Sequence, residues 1–324
     1  MNAKSHPPIV LHIGPHKTGS TTLQVALARN RSQLARHGWH YDEMKEFPGG
    51  VHEFAARLSK NSDQAIEVLP NMSSRFSHPT VLSSENFSLL GQQQVRLLAA
   101  ALDFRAVRVV YFLRSPIERI PSLWQESVKH GYPESLDAFM KVRLNDAMAD
   151  PETNPASQLA PWLDVFGRRA VAIHVLDRVA NPVRLFFRRH LGILSTPDFE
   201  DRLNKSLSAE EVEILRHLGA GAMEVIARGR ELERFRELVE MVKSSANSHA
   251  GLYRQQRVFS CDQEPFRAIE RILKELVFPR TWKARPGNLF RQRENSYSII
   301  APDIWTREEH LAQKLTELRQ KLVT

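Results

Sequence analysis

Four short stretches of the chain are apolar almost without interruption: Ile9-Val10-Leu11-His12-Ile13, Thr80-Val81-Leu82-Ser83, Arg108-Val109-Val110-Tyr111-Phe112-Leu113 and Ala170-Val171-Ala172-Ile173-His174-Val175-Leu176. Runs that do not alternate fit parallel strands covered on both faces. Between them the apolar period lengthens to three and four. Thr21 to Arg36 places Leu23, Ala26, Leu27 and Leu34 on one helical face, and Ile117, Ile120, Leu123, Trp124 and Val128 do the same further on. Strands alternating with helices predict an α/β protein with a parallel sheet flanked by helices in three layers.

Past about residue 200 the β pattern fades. Ser208-Ala209-Glu210-Glu211 is a capping-box start for a helix to Leu218, and a charged helical stretch follows from Met223 to Lys243. Ser244 to Gly251 reads as a polar loop, Phe266 to Leu276 as a helix, Arg285-Pro286-Gly287-Asn288 as a turn, and Thr306 to Leu322 as a last amphipathic helix. The expected organisation is a single domain over 1–324, with an α/β nucleotide-binding core at 8–200 and a mainly helical extension at 201–324. No repeat or low-complexity tract interrupts it.

Composition narrows the class further. With 42% apolar and 25% charged residues in 324, the chain is neither disordered nor fibrous. A formal charge of +8 and a pI near 9.7 favour anionic ligands without choosing among them. The lone Cys261 cannot close an internal disulfide, which fits a reducing compartment. The run from Ile9 to Leu11 is too short for a signal-peptide core, and no stretch approaches the roughly 18 apolar residues of a membrane span. A cytoplasmic protein is the expectation. Arg184, Arg188, Arg189, Arg228 and Arg230 read as solvated helix faces, and without an aromatic-interleaved basic motif no nucleic-acid partner is expected.

Gly14-Pro15-His16-Lys17-Thr18-Gly19-Ser20-Thr21-Thr22 joins the first strand to the first helix. Two glycines allow a tight turn whose N–H groups converge on an anion. The helix dipole, the Lys17 ammonium and the Thr21 and Thr22 hydroxyls add to that attraction. The nucleoside-triphosphate loop places its lysine directly after the second glycine, whereas Lys17 precedes Gly19 by two positions. A second anion site is readable where the third strand ends: Arg114 can fork onto a phosphate, and Ser122, eight residues on, can donate from the next helix. After the second strand, Ser83-Ser84-Glu85-Asn86 places a carboxylate on the sheet edge where α/β proteins gather ligands. Glu85 is the candidate general base, with a structural ion pair as the competing reading.

The order Lys-Thr-Gly-Ser-Thr-Thr, followed by Arg114 and Ser122 at that spacing, resembles the sulfotransferase family that uses 3′-phosphoadenosine 5′-phosphosulfate. Trp162, Phe166 and Gly167, with Asn204-Lys205-Ser206-Leu207-Ser208, look like features of its bacterial and Golgi-type members. The resemblance spans roughly residues 8 to 215. The Gly-rich, Trp-Lys-containing C-terminal motif of the cytosolic animal branch is missing.

The resemblance implies a P-loop-like fold and roles residue by residue. Lys17, Thr18, Gly19, Ser20, Thr21 and Thr22 hold the 5′-phosphosulfate, and His16 either touches it or lines the loop. Lys17 stabilises the leaving oxygen, Arg114 and Ser122 hold the 3′-phosphate, and Glu85 deprotonates the acceptor, with His16 the next candidate base. No metal is implied. His52-Glu53 lacks the second histidine of a zinc-protease helix.

The acceptor is less readable. Candidate loops are Trp39 to Val51, Tyr132 to Gln158 and Phe278 to Tyr297. Trp39, Tyr41, Tyr132 and Trp282 are candidates for stacking on sugars, and Lys129, His130 and Arg143 for steering an anionic glycan. A hydroxyl or amine, foremost a carbohydrate or glycolipid hydroxyl, is the expected acceptor, with a phenol or tyrosine peptide as alternatives and peripheral contact with a lipid-linked acceptor left open. The rival functions are a nucleotide-dependent kinase and a non-catalytic adenine-nucleotide sensor. The sequence leaves the oligomeric state open.

Overall fold

The computed structural model describes residues 7–102, 107–199, 207–228, 231–248, 253–257, 264–277, 296–300 and 304–323. Along the chain run β1 (Ile9–His12), α1 (Ser20–Arg29), α2 (Arg31–Arg36), β2 (His40–Tyr41), α3 (Gly50–Ser59), α4 (Asp63–Val68) and α5 (Met72–Arg75). Then come β3 (Thr80–Ser83), α6 (Gln92–Ala101), β4 (Val107–Leu113), α7 (Pro116–Lys129), α8 (Leu136–Asn145), α9 (Pro155–Phe166), β5 (Val171–Val175) and α10 (Pro182–His190). The remainder holds α11 (Ala209–Leu218), α12 (Ala222–Arg228), α13 (Glu231–Ser248), β6 (Tyr253–Arg257), α14 (Glu264–Val277), β7 (Ser296–Ile300), α15 (Ile304–Arg307) and α16 (Glu309–Val323). Among the described residues no helix is long and apolar enough to cross a membrane.

Two compact units interleave along this order. The first takes residues 1–116, 147–204 and 264–292. It contains a five-stranded parallel sheet in the order β2-β3-β1-β4-β5, with Ile9 beside both Thr80 and Val107. The continuous apolar runs therefore lie in a sheet with both faces covered. On one face Val10, Val110 and Phe112 pack against Leu23 and Leu27 of α1 and against Phe186 and Phe187 of α10. On the other, α9 lies against β4 and β5, and α3 against β3. There Tyr111 donates its hydroxyl to Gln158 of α9 at 2.6 Å.

An aromatic series runs through that second layer. Phe47, Phe54, Phe87 and Trp162 follow one another with ring centroids 5.4, 6.3 and 6.4 Å apart, and Trp162 stacks on Phe166 at 5.7 Å. It links α3 and α9 to the turn of 3-10 helix at Glu85–Leu89. Large rings at such offsets bury much apolar area and fix relative positions. Phe87 is fully buried, which seats the turn carrying Glu85.

The second unit takes residues 117–146, 205–263 and 293–324. It is helical, with α13 packed on α16 and α11 on both. Ser208 and Glu211 form the expected capping box. Buried Glu213 accepts from Arg216 at 3.0 Å and from the Trp305 indole at 3.2 Å.

Some elements differ from the sequence expectations. The helix expected over Thr21 to Arg36 breaks at Asn30, whose side-chain amide donates to the Ala26 and Asp198 carbonyls and accepts from the Asp198 N–H. A side chain that competes for backbone partners ends a helix. Ser244 to Ser248, expected as loop, continues α13. The expected helical extension also holds an antiparallel pair, β6 with β7, Tyr253 beside Ile300. Its Tyr-Arg-Gln-Gln-Arg strand has no apolar run to announce it.

Gly14 sets the geometry where β1 ends. Its φ is +89°, and a Cβ there would lie 2.7 Å from the Glu85 Cα. Gly19 has φ +84° but open space around it. Gly14→Ala should therefore lower stability by about 3 kcal/mol, combining strain with a backbone clash. Gly19→Ala should cost only about 1 kcal/mol. Urea midpoints check this, and equal effects at both sites would refute the close approach.

Acid should also destabilise the sheet–α10 layer. His12 is fully buried and lowered to about 4 by burial, which outweighs Glu85. Burial likewise lowers His174 to about 4 and His190 to about 3. Unfolded histidine binds its proton near pH 6.5. Stability is thus full above that pH and falls as pH drops toward the folded values, by roughly 2 kcal/mol at pH 5 from His12 alone. Melting temperatures between pH 7.5 and 5 test it, and a flat profile would contradict the burial of these rings.

Candidate functional site

The segment from Gly14 to Thr22 lies at the carboxyl end of β1, in the middle of the sheet. Three of its residues adopt positive φ: Gly14, Lys17 at 64° and Gly19 at 84°. A left-handed residue among right-handed neighbours turns successive N–H groups to one side and makes an anion-binding concavity. Lys17 is a non-glycine residue held in that region, at a cost of about 1–3 kcal/mol that the surrounding packing sustains. Gly19 is the N-cap of α1 and offers no side-chain cap. The first helical bond runs from Leu23 N–H to Gly19 O, so the N–H groups of Ser20, Thr21 and Thr22 point forward without an intrahelical acceptor.

The hydroxyls divide. Thr18 donates to the Pro15 carbonyl at 2.6 Å and Ser20 to the same oxygen at 3.3 Å, so both close the turn. Thr21 is exposed and Thr22 half-buried. Arg114, just past β4, donates to the Lys17 carbonyl at 3.1 Å. The first of the two sequence-predicted phosphate ligands is thereby brought to the loop. Ser122 lies half-buried on α7, within the second unit.

Glu85 stands on the other flank of the loop, with only 15% of its side chain exposed. Gln24 of α1 donates to Oε2 at 2.9 Å. His16 Nδ1 is 3.9 Å from Oε1, and His52 Nδ1 is 3.8 Å from Oε2. Burial pushes the Glu85 pKa up, but its own backbone N–H, His16, Gln24 and His52 together outweigh it and hold the carboxyl below the usual range. Glu85 is an anion at neutral pH. That leaves it able to accept a proton.

Asn86 fixes the neighbouring imidazole. Its amide donates to the His52 carbonyl at 3.1 Å, which turns Oδ1 toward His16 Nε2 at 3.0 Å. His16 Nε2 must then carry hydrogen, leaving Nδ1 toward Glu85. Burial lowers the His16 pKa more than Glu85, Glu152 and Asn86 raise it. His16 is neutral at pH 7 without a ligand. His12, by contrast, is a sheet residue bonded through Nδ1 to Ser83 at 2.8 Å.

A cavity of about 470 Å³ opens beside Glu85, lined by Gln24, Tyr41, Glu43, Lys45, His52 and Ser83 among others. It coincides with the expected Trp39 to Val51 segment. Gln24 and His52 belong both to the cavity and to the Glu85 carboxylate, and neither was singled out for this site from the sequence. Gln24 comes from α1 on one face of the sheet and His52 from α3 on the other, and no local spacing encodes their meeting at Glu85.

Of the aromatics considered for sugar stacking, Tyr41 lines this cavity. Trp39 instead bonds the Leu191 carbonyl at 2.9 Å, and Tyr132 packs on Phe139. Lys129 pairs with Glu126, and Arg143 lies over the Phe139 ring at 5.0 Å. Trp282 and the segments Asn204 to Ser206 and Arg285 to Arg293 lie outside the described residues.

No family model matches the chain. No curated protein matches it either. Among solved structures it is similar to a sulfotransferase from Alicyclobacillus acidocaldarius, with 16% identity over 85% of this chain and 98% of that chain and a TM-score of 0.43. At that level no residue role transfers from one protein to the other.

Proposed function

We propose that the chain is a sulfotransferase that moves a sulfuryl group from 3′-phosphoadenosine 5′-phosphosulfate to a saccharide hydroxyl. The observation that carries the reading is the contact of Gly14 with Glu85. It sets an uncapped anion-binding loop and an ionised carboxylate against each other at the centre of the sheet edge. The sequence resemblance supplies the donor's identity. The polar cavity beside Glu85 supports a hydroxyl-rich acceptor over a phenol.

The roles follow from placement. The N–H groups of the loop and the first turn of α1, with Lys17, hold the phosphosulfate. Arg114 faces the nucleotide's remaining phosphate, while the share of Ser122 rests on its spacing in the sequence. The acceptor oxygen forms a bond to sulfur as the bond from sulfur to the phosphate oxygen breaks. The acceptor proton passes to the Glu85 carboxylate, and the electron pair leaves with the bisphosphate, where Lys17 offsets the new charge.

Adenosine 3′,5′-bisphosphate should raise the melting temperature, with about 2.7 kcal/mol of stabilisation at a hundredfold excess over its dissociation constant. Magnesium–ATP should do far less, and the reverse order would turn the reading toward a kinase. With labelled donor and saccharide acceptors, Lys17→Met should lose turnover by about 10²–10³ while changing bisphosphate affinity much less. Glu85→Gln should keep the thermal shift and lose transfer by about a hundredfold. Normal transfer by Glu85→Gln would move the base elsewhere.

Nucleotide binding should also take up a proton. His16 is kept neutral by burial, and phosphate groups arriving at the loop raise its pKa toward and past the ordinary value. Affinity for the bisphosphate therefore rises as pH falls through the raised value of the bound state toward the lowered value of the free state. Calorimetry in buffers of different ionisation enthalpy reads the uptake, and His16→Asn should remove it. Identical buffer dependence in both proteins would show that His16 does not face the phosphates.

A further inference from the structure

The cavity beside Glu85 has an electrostatic asymmetry that its lining explains. Glu43, which faces it, is neutralised by Arg31. Next to lining residues in the sequence, Asp42 and Glu46 are taken by Arg75, and Glu53 by Arg57. His52 is directed at Glu85. Lys45 has no ion-pair partner among the described residues. Glu43, Asp42, Glu46 and Glu53 are thus paired with arginines, Glu85 is held by an amide and imidazoles, and Lys45 alone of the cations lining the cavity meets no carboxylate among the described residues.

The backbone beneath Lys45 is held firmly. Asp42 Oδ1 accepts from the Met44 N–H at 2.7 Å while Arg75 grips the same carboxylate at 2.9 Å. Val51 N–H closes on the Glu43 carbonyl at 3.1 Å, and a Cβ on Gly50 would meet that carbonyl at 2.6 Å. Met44 and Phe47, on either side, are fully buried. Lys45 is exposed on this fixed turn. The anchored backbone fixes where the Lys45 side chain starts, and the side chain itself is ordered only when an anion arrives.

Resting on the reading of the site as a sulfotransferase, we infer that the acceptor is an acidic saccharide, with Lys45 pairing with a carboxylate or sulfate on it. Tyr41 presents an aromatic ring to the same cavity, held under the Arg31 guanidinium at 5.8 Å. Gln24, shared with Glu85, stands where the reacting hydroxyl must approach. An aromatic face, an amide and one unmatched cation suit a sugar ring bearing hydroxyls and a single negative group. A neutral phenol would leave the lysine unmatched.

The test is binding in the presence of adenosine 3′,5′-bisphosphate, measured by calorimetry. Its arms are a glucuronate-bearing hyaluronan hexasaccharide, its carboxyl-reduced form and a chondroitin sulfate hexasaccharide. At least one anionic oligosaccharide should bind about tenfold or more tighter than the reduced form. The hyaluronan and chondroitin sulfate arms separate carboxylate from sulfate recognition. Lys45→Ala should abolish the preference and Lys45→Arg should keep most of it. Lys60→Ala, which removes an equal charge from the exposed end of α3, should leave it unchanged and so controls for the net charge of +8.

Equal binding of charged and reduced sugars, binding of none, or a preference that survives Lys45→Ala overturns the inference. The bisphosphate melting shift, read in the same samples, separates this from the parent reading. A shift without the sugar preference sinks only the acidic acceptor. The preference without a shift sinks the donor assignment and leaves the anionic subsite standing.

Discussion

A missing side chain at Gly14 is the constraint on which the site rests. β1 and β3 are parallel neighbours, His12 beside Ser83, so the chain leaves both strands at the same level. Gly14 is then fixed from two directions. Its carbonyl accepts from the Phe112 N–H at 3.1 Å, and its Cα face lies against the Glu85 backbone. Any side chain there would separate the loop after β1 from the turn after β3. Because packed interiors yield little to such a wedge, loop and carboxylate keep one relative position.

That position determines the electrostatics. A carboxylate at 15% exposure would ordinarily be pushed toward its neutral form. Here the charge is shared by a backbone N–H, an amide and two imidazoles rather than cancelled by an arginine or lysine. A full salt bridge would hold the proton affinity of Glu85 far lower and block its face. The backbone N–H and the Gln24 amide keep it hydrogen-bonded and reachable, and His16 and His52 add to that hold only when they carry a proton. Asn86 contributes by forcing the His16 tautomer, so the nitrogen facing Glu85 carries no proton until one is recruited.

Much of this was legible in the chain. The four apolar runs are strands of the sheet because burial on both faces leaves no reason for alternation. The Gly14 to Thr22 segment is readable because positive φ and a free helix start restrict residue choice so strongly. What escaped notice lacks a local signature. β2 has two residues, β6 is polar throughout, and the break at Asn30 depends on Asp198, far away in sequence. Gln24 and His52 reach Glu85 from helices on opposite faces of the sheet, α1 and α3. Thr18 and Ser20 are loop ligands by the resemblance, and their hydroxyls are turned inward onto Pro15.

The strand order gives the arrangement its chemical sense. In β2-β3-β1-β4-β5 the anion loop follows the central strand, Arg114 follows β4 on one side, and Glu85 follows β3 on the other. The cavity lies farther out in the same direction as Glu85, toward β2, with Tyr41 of that strand in its wall. A displacement in line needs the entering and leaving groups on opposite sides of the transferred atom, held there before reaction. A group seated over the Lys17 loop would have Arg114 on one side and the Glu85 carboxylate with its cavity on the other. Three loops after adjacent parallel strands thus set Arg114, the Lys17 loop and Glu85 with its cavity in sequence along the sheet edge. Exchanging the positions of β3 and β4 would leave every residue in place along the chain and yet reverse that line.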